Sequence, residues 1–285
     1  MSAPKASERI DPAEQSAGRY ARVHGALMES DPACKCAAAA ALWRDWQTGA
    51  LAVEAAAAPP VAVPVPGRPT RPRLVAPREL PRRGLGTQEG RAALVHAVAH
   101  IEFNAVNLAL DAVYRFRELP DDFAGDWLRI AAEEARHFGM VRERLQDLGC
   151  DYGDYPAHNG LWEMACKTDR DPLLRMALVP RVLEARGLDV TPGMIERLSA
   201  AGDLETVAVL EVILREEVGH VAAGSRWYAE LCRARGLEPE ATFRELVREH
   251  APGHVQGPLH AEARLAAGFS AAELDGLESL RLRRD

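Results

Sequence analysis

Two segments of the chain repeat one arrangement of acid and base. "AAEEARHFGM" (131–140) sets Glu134 three residues before His137, and "REEVGHVAAG" (215–224) sets Glu217 three residues before His220. At that spacing a carboxylate and an imidazole share one face of a helix. Each pair is preceded by a further glutamate: Glu102 lies 32 residues before Glu134, and Glu184 lies 33 residues before Glu217. One Glu-x-x-His carries little information in a chain with 42 acidic residues and 9 histidines. The order Glu, then Glu-x-x-His, occurring twice at matched distance, is hard to reach by chance. Four carboxylates and two imidazoles in this order form the donor set of a dinuclear metal site in a four-helix bundle. The spacing therefore assigns Glu102, Glu134, His137, Glu184, Glu217 and His220 as metal ligands.

The neighbours of these residues support the assignment. On the face of Glu102 lie Val95, Val98, Ala99, Ala105, Val106, Ala109 and Val113; Glu134 and His137 share theirs with Trp127, Ile130, Ala131, Phe138, Val141 and Leu145. Glu217 and His220 fall among Leu210, Ile213, Leu214, Val221, Gly224 and Tyr228. A carboxylate in such a stripe persists only if protonated, paired or metal-bound. Glu184 is less clean: Ala177, Pro180, Gly187 and Leu188 flank it, but Arg181 and Arg186 compete as ion-pair partners, so spacing decides its assignment. Oxygen donors with one imidazole per metal suit iron, manganese or a mixed pair, and not a structural zinc site. A metal-free scaffold with the same residues would suffer repulsion among four carboxylates.

Four long helices must position these groups. "TQEGRAALVHAVAHIEFNAVNLALDAVYRFREL" begins at the N-cap Thr87 and ends before Pro120. "DWLRIAAEEARHFGMVRERLQDLG" is closed by Gly149, and a long crossover, "CDYGDYPAHNGLWEMACKT", follows. The third helix, "DPLLRMALVPRVLEARG", opens with Asp171 as cap and Pro172 as first residue, with a kink expected at Pro180. Thr191–Pro192 reads as the start of a separate short helix, and "DLETVAVLEVILREEVGHVAAGSRWYAELCRARG" is the fourth long one. Beyond it, "EPEATFRELVREH" and "SAAELDGLESLRLRR" read as short helices, the latter with Ser270 and Glu273 at capping-box spacing. Residues 11–57 read as helical, with Asp31 and Pro32 opening a long Ala-rich helix. Residues 58–83 are too rich in proline for helix or central strand and read as an extended surface connector. It carries Arg68, Arg71, Arg73, Arg78, Arg82 and Arg83: a solvated linker is the bland reading, an arm for an anionic partner the sharper one. The chain divides into an N-terminal helical region (1–57), the Pro/Arg-rich linker (58–86), the bundle (87–236) and a C-terminal helical extension (237–285).

Composition sets outer bounds. With 285 residues, 47% of them hydrophobic and only 6% aromatic, the chain can bury a large core and favours helix over sheet. A net charge of −7 argues against a general nucleic-acid binder. No apolar run approaches the roughly 20 residues of a membrane helix, and "MSAPKASERIDPAEQ" lacks a signal-peptide core. Cys34, Cys36, Cys150, Cys166 and Cys232 are odd in number and scattered, which implies no disulfide framework and fits a cytoplasmic location. No phosphate-binding loop is present.

Several other residues lie near the ligand set in sequence. His100 falls nearly opposite Glu102 and reads as a surface or interhelix histidine. Glu133 and Glu216 rotate about 100° away from their neighbouring ligands and read as solvated or salt-bridged, so that replacing Glu133 should leave metal in place. Asp111, Arg129, Arg186 and Arg215 are candidates to orient the ligands. Tyr114 and Tyr228 invite a radical role, with core packing the stronger reading. His158 caps or packs within the crossover, or shapes a mouth to the site, and Cys34-x-Cys36 packs.

The strings "HIEFNAVNLALDAVYRF", "AAEEARHF", "PAHNGLW" and "VPRVLEARGLD" carry a resemblance. From about residue 90 to 235 the chain resembles the ferritin-like di-iron carboxylate superfamily, in a bacterial family related to tRNA-modifying di-iron monooxygenases. The resemblance implies an all-α ferritin-like four-helix bundle with a long crossover, plus N-terminal helices and a C-terminal helical extension. It implies two metal ions at the six residues, iron first, with manganese or a mixed Mn/Fe pair as alternatives. The activity implied is a dinuclear-metal oxidoreductase that activates dioxygen to oxidise or hydroxylate a substrate; the alternative is a ferroxidase or peroxide-handling protein without an organic substrate. Expected partners are dioxygen or peroxide, a small-molecule or RNA substrate, an electron-donor protein and a second copy of the chain, with no membrane.

Overall fold

The computed structural model describes residues 18–53, 58–80 and 84–282. Within them the protein is all-α, with no named strand. Two short helices come first, α1 (Arg19–Met28) and α2 (Pro32–Gln47). The bundle follows: α3 (Gln88–Arg115), α4 (Asp121–Asp147), a third helix made of α6 (Pro172–Leu178), a π-helical segment (Val179–Glu184) and α7 (Ala185–Ala200), and then α8 (Leu204–Arg235). The crossover from α4 to α6, a long connection by sequence, contains its own helix, α5 (Gly160–Lys167). Helices α9 (Pro239–His250), α10 (Ala261–Ala266) and α11 (Ala271–Leu282) form the C-terminal extension.

Local chemistry accounts for most of the boundaries. Asp31 accepts from the Cys34 amide, Thr87 from Gly90 and Asp171 from Leu173, while Pro32 and Pro172 occupy first-turn positions that need no amide donor. Gly236 ends α8 in the left-handed conformation, φ 66°. The Ala-rich helix stops at Gln47, shorter than expected. The Thr48 hydroxyl accompanies the last carbonyls, and Gly49 turns the chain at φ 73°. Residues 1–17 and 54–57, also read as helical in part, lie outside the described residues.

Pairing of α3 with α4, and of the third helix with α8, builds the bundle, and α4 against α8 joins the halves. Helix α2 lies along α4, and α1 along α3. Helix α3 is long and apolar enough on average to cross a membrane by length and composition, but it contains no unbroken apolar run of that length and its window is 78% buried within the bundle. The proline-rich segment straps this assembly. The Val75 amide donates to the Ala157 carbonyl at 2.8 Å, Ala157 donates back to Arg73 at 3.1 Å, and Trp162 Nε1 donates to the Pro64 carbonyl at 3.1 Å. Gly67 is required where the strap crosses the end of α1, since a Cβ there would lie 2.2 Å from the Met28 backbone.

The third helix departs most from its sequence reading. The expected kink at Pro180 takes the form of a π turn, with the Ala185 amide bonding to the Pro180 carbonyl five residues back. Proline cannot donate to the carbonyl four residues before it, and one extra residue in the turn absorbs the defect. Thr191–Pro192 does not open a new helix: α7 runs through it to Ala200. Gly224 on α8 lets the π segment approach closely, since a Cβ there would lie 2.4 Å from Pro180 side-chain atoms.

Candidate metal centre

Five of the six candidate ligands meet in the middle of the bundle. Glu102, Glu134 and His137 form one group whose ligand atoms lie within 4.8 Å of one another; Glu134, Glu217 and His220 form a second. Glu134 belongs to both. One of its oxygens, Oε2, is 3.2 Å from His137 Nδ1, and the other, Oε1, is 2.9 Å from His220 Nδ1. Glu102 Oε2 lies 3.4 Å from His137 Nδ1, and Glu217 Oε2 lies 3.1 Å from His220 Nδ1. Both imidazoles are fully buried and Glu134 is 2% exposed. These groups form a polar layer between two apolar clusters, one holding Phe103, Phe138, Val141 and Ile213, the other Val106, Ile130, Ala131 and Val221.

The sixth residue, Glu184, stands outside both groups but borders them: burial first, then Glu217 and Glu134, push its carboxyl well above the usual range. Its Oε2 is buried without a hydrogen-bond partner. Arg181 and Arg186, the competing partners weighed from sequence, bond elsewhere, Arg181 to Glu273 and Arg186 to the Gln256 carbonyl. A buried carboxylate oxygen with no partner is costly. One close enough to feel Glu217 and Glu134 is what a second cation would satisfy. The donor set fits two ions, each with one imidazole and oxygen ligands, Glu134 lying between them.

Glu133 and Glu216 are salt-bridged, one of the two sequence readings, but to partners that reading did not name. They do rotate away from Glu134 and Glu217, but each reaches the imidazole of the opposite half. His137 Nε2 is 2.9 Å from Glu216 Oε2, and His220 Nε2 is 2.8 Å from Glu133 Oε2. Arg136 holds Glu216, and Arg129 holds Glu133 at 2.7 Å. Each histidine is thus gripped at Nε2 with Nδ1 left facing the carboxylates, an arrangement that sets ring orientation and raises ligand basicity. Of the candidate orienting residues, Arg129 acts through Glu133. Asp111 instead joins Arg175 and Arg115, and Arg186 the C-terminal extension. Glu133→Gln and Glu216→Gln are expected to weaken metal binding by roughly 10- to 100-fold without unfolding the chain, measured by competition with a metallochromic chelator. Unchanged affinity in both would show that the imidazoles need no such support.

His100, His158, Tyr114 and Tyr228 bond to backbone and side chains away from the two groups. His100 bonds to the Tyr152 hydroxyl and the His158 carbonyl, fastening the crossover to α3, and His158 Nδ1 accepts from Gly160. The Tyr114 hydroxyl accepts from Val61 on the strap, and the Tyr228 hydroxyl donates to the Pro239 carbonyl. All five cysteines are free thiols.

The electrostatics describe a cluster that must hold protons when it holds no cation. Burial, with Glu134 beside it, pushes the Glu102 carboxyl up to about 8, and burial raises Glu217 as well. Against the pull of burial, Glu102 and Glu134 raise His137 to about 10, and Glu134, Glu133 and Glu217 raise His220 well above its ordinary value. Burial also opposes ionisation of Glu134, but His220 and His137 hold its carboxyl far below the usual carboxylate range.

A family model described as "Protein of unknown function (DUF455)" matches residues 28–275. The chain belongs to the DUF455 family. The match contains every residue of the two groups that could hold a metal ion, together with Glu133 and Glu216. A Haemophilus influenzae protein described as "Uncharacterized protein" is 50% identical over 214 residues, covering 73% of this chain and 74% of that one. No solved structure matches. In this DUF455 chain, the signal for the missed supports was present in sequence: both ligand pairs are written Glu-Glu-x-x-His, with the first glutamate duplicated at the same place.

Proposed function

We propose that this DUF455 protein is a dinuclear-metal oxidoreductase of the ferritin-like di-iron carboxylate kind, using dioxygen to oxidise or hydroxylate a substrate. The observation that carries the reading is Glu134, whose two oxygens face the two imidazoles of two Glu/Glu/His groups. Iron, or manganese in one or both positions, would supply redox chemistry with dioxygen when bound. The protein's own contribution is positional and electrostatic. Glu102 and His137 would hold one ion, Glu184, Glu217 and His220 the other, with Glu134 between them. Glu216 and Glu133 hold the imidazole rings. The apolar clusters on both sides keep bulk water from reactive species.

Anaerobic reconstitution with ferrous iron, followed by rapid mixing with oxygenated buffer, tests this. The expected result is dioxygen consumption with a near-ultraviolet band growing in, lost in Glu134→Ala. Rapid turnover of ferrous iron alone, with iron oxidation matching dioxygen use, would favour the ferroxidase reading. Inertness to dioxygen with and without candidate substrates and electron donors would defeat both.

A further inference from the structure

The charged residues that flank Glu184 on the third helix are held by the C-terminal extension. Arg181, three residues before Glu184, is 1% exposed. It donates from Nη2 to Glu273 of α11 at 2.8 Å and from Nε to Ser225 of α8 at 3.2 Å. Its guanidinium lies 4.2 to 4.6 Å from the ring centres of Tyr228, Phe243 and Phe269, the last two supplied by the extension. Arg186, two residues after Glu184, donates to the Gln256 carbonyl at 2.7 Å. Asp189 accepts from Nε and Nη2 of Arg264, at 2.9 and 2.7 Å, and from the His260 amide at 2.9 Å.

Regular helix geometry would bring Arg181 and Glu184 together. In an α-helix, residues three apart share a face, which sets a guanidinium beside the carboxylate and pairs the two. The π turn over Val179–Glu184 takes one more residue per turn and swings these side chains apart. Arg181 then faces the extension, while Glu184 faces the bundle, where Glu217 and Glu134 act on it and its Oε2 has no hydrogen-bond partner. A buried guanidinium is strongly unfavourable without a carboxylate. Glu273 supplies one from outside the bundle, 92 residues along the chain. Without it, the nearest carboxylate along the third helix is Glu184, since Asp189 is committed to Arg264.

We infer that Glu273 and Arg181 are positioning residues for the second metal ion: by drawing the guanidinium outward, the C-terminal extension leaves the Glu184 carboxylate free to bind that ion with Glu134, Glu217 and His220. The inference rests on the two-ion reading of the site and extends it to a residue outside the four-helix bundle. Glu273 acts only through Arg181, and its own Oε2 also accepts from the Ser270 amide at 2.9 Å, a cap that glutamine would preserve.

Anaerobic titration of the metal-free full chain with manganous ion, with free ion counted by its electron paramagnetic resonance signal, tests it. The wild-type chain is expected to take up two ions. Glu273→Gln should keep the ion at Glu102, Glu134 and His137 and bind the other roughly tenfold or more weakly. Adding Arg181→Met should restore the second ion, because the competing guanidinium is gone; a role in packing alone would leave that ion weak. A folded Glu273→Gln chain with wild-type affinity, or a double variant that stays weak, would overturn the inference. If Glu273→Gln does not fold alone, the double variant, in which both charges of the buried pair are gone, decides by the same criterion. Fewer than two ions in the wild-type chain would defeat the two-ion reading and this inference with it, an outcome distinct from an unaltered Glu273→Gln.

Discussion

Replacement of Glu134 by alanine is expected to remove both metal ions, whereas Glu102→Ala and Glu217→Ala should each leave roughly one per chain. The difference follows from geometry: Glu102 belongs to one Glu/Glu/His group, Glu217 to the other, and Glu134 to both. An ion bound by an imidazole and two or three carboxylates loses a large share of its affinity with one oxygen donor. Losing the shared donor penalises both ions at once. Stability is a confounding effect. Glu134 is also the common partner of two buried imidazoles, and removing one member of a buried ion pair costs about 3–5 kcal/mol. Glu134→Gln, which preserves shape and packing, is the companion variant. Elemental analysis of folded protein, verified by circular dichroism, supplies the number. Full metal content in a folded Glu134→Ala chain would remove the basis of the two-ion assignment.

Metal loading should also release protons, and in quantity. In the metal-free cluster His137 and the Glu102 carboxyl are held protonated at neutral pH, and His220 and Glu184 are pushed in the same direction. Two divalent ions displace those protons, so about three to four leave per chain. At neutral pH the affinity should then climb with pH, on the order of a hundredfold per unit for each ion. The stability of the metal-free protein should run the opposite way. His137, raised from 6.5 to about 10, contributes stability that is complete below 6.5 and lost as pH rises through 10. Glu102, raised from 4.5 to about 8, likewise favours the folded state at low pH and costs stability as pH climbs through 8. Chelator-treated protein should therefore lose denaturant resistance between about pH 5 and 10, and metal-loaded protein should not. An indicator dye in weak buffer, with ferrous or manganous ion added anaerobically, counts the protons. Release of fewer than one per chain would mean that the cations bind elsewhere.

Much of this was legible in the residues alone. The caps at Asp31, Thr87 and Asp171 declare themselves because capping is local chemistry, satisfied within three residues. The capping box at Ser270 and Glu273 forms as its spacing suggests, with the Ser270 amide on Glu273 and the Glu273 amide on the Ser270 hydroxyl. Periodicity also placed Glu102, Glu134 and Glu217 on inward faces, because a helix of known pitch converts spacing directly into direction. Those properties depend on neighbours within a turn or two.

Tertiary structure decided the rest. Helical pitch states that Glu133 points away from Glu134, but not that the place it points to holds His220, 87 residues further along. The same holds for His137 and Glu216, 79 residues apart. Glu273, besides capping α11, reaches back 92 residues to Arg181 and frees Glu184 from its nearest competing partner. The π turn at Pro180 was foreseeable as a defect, but its form depended on Gly224 offering a helix surface bare enough to receive it. A sequence states which side of a helix must leave water; which groups meet there is settled only when distant helices compete for the same buried volume.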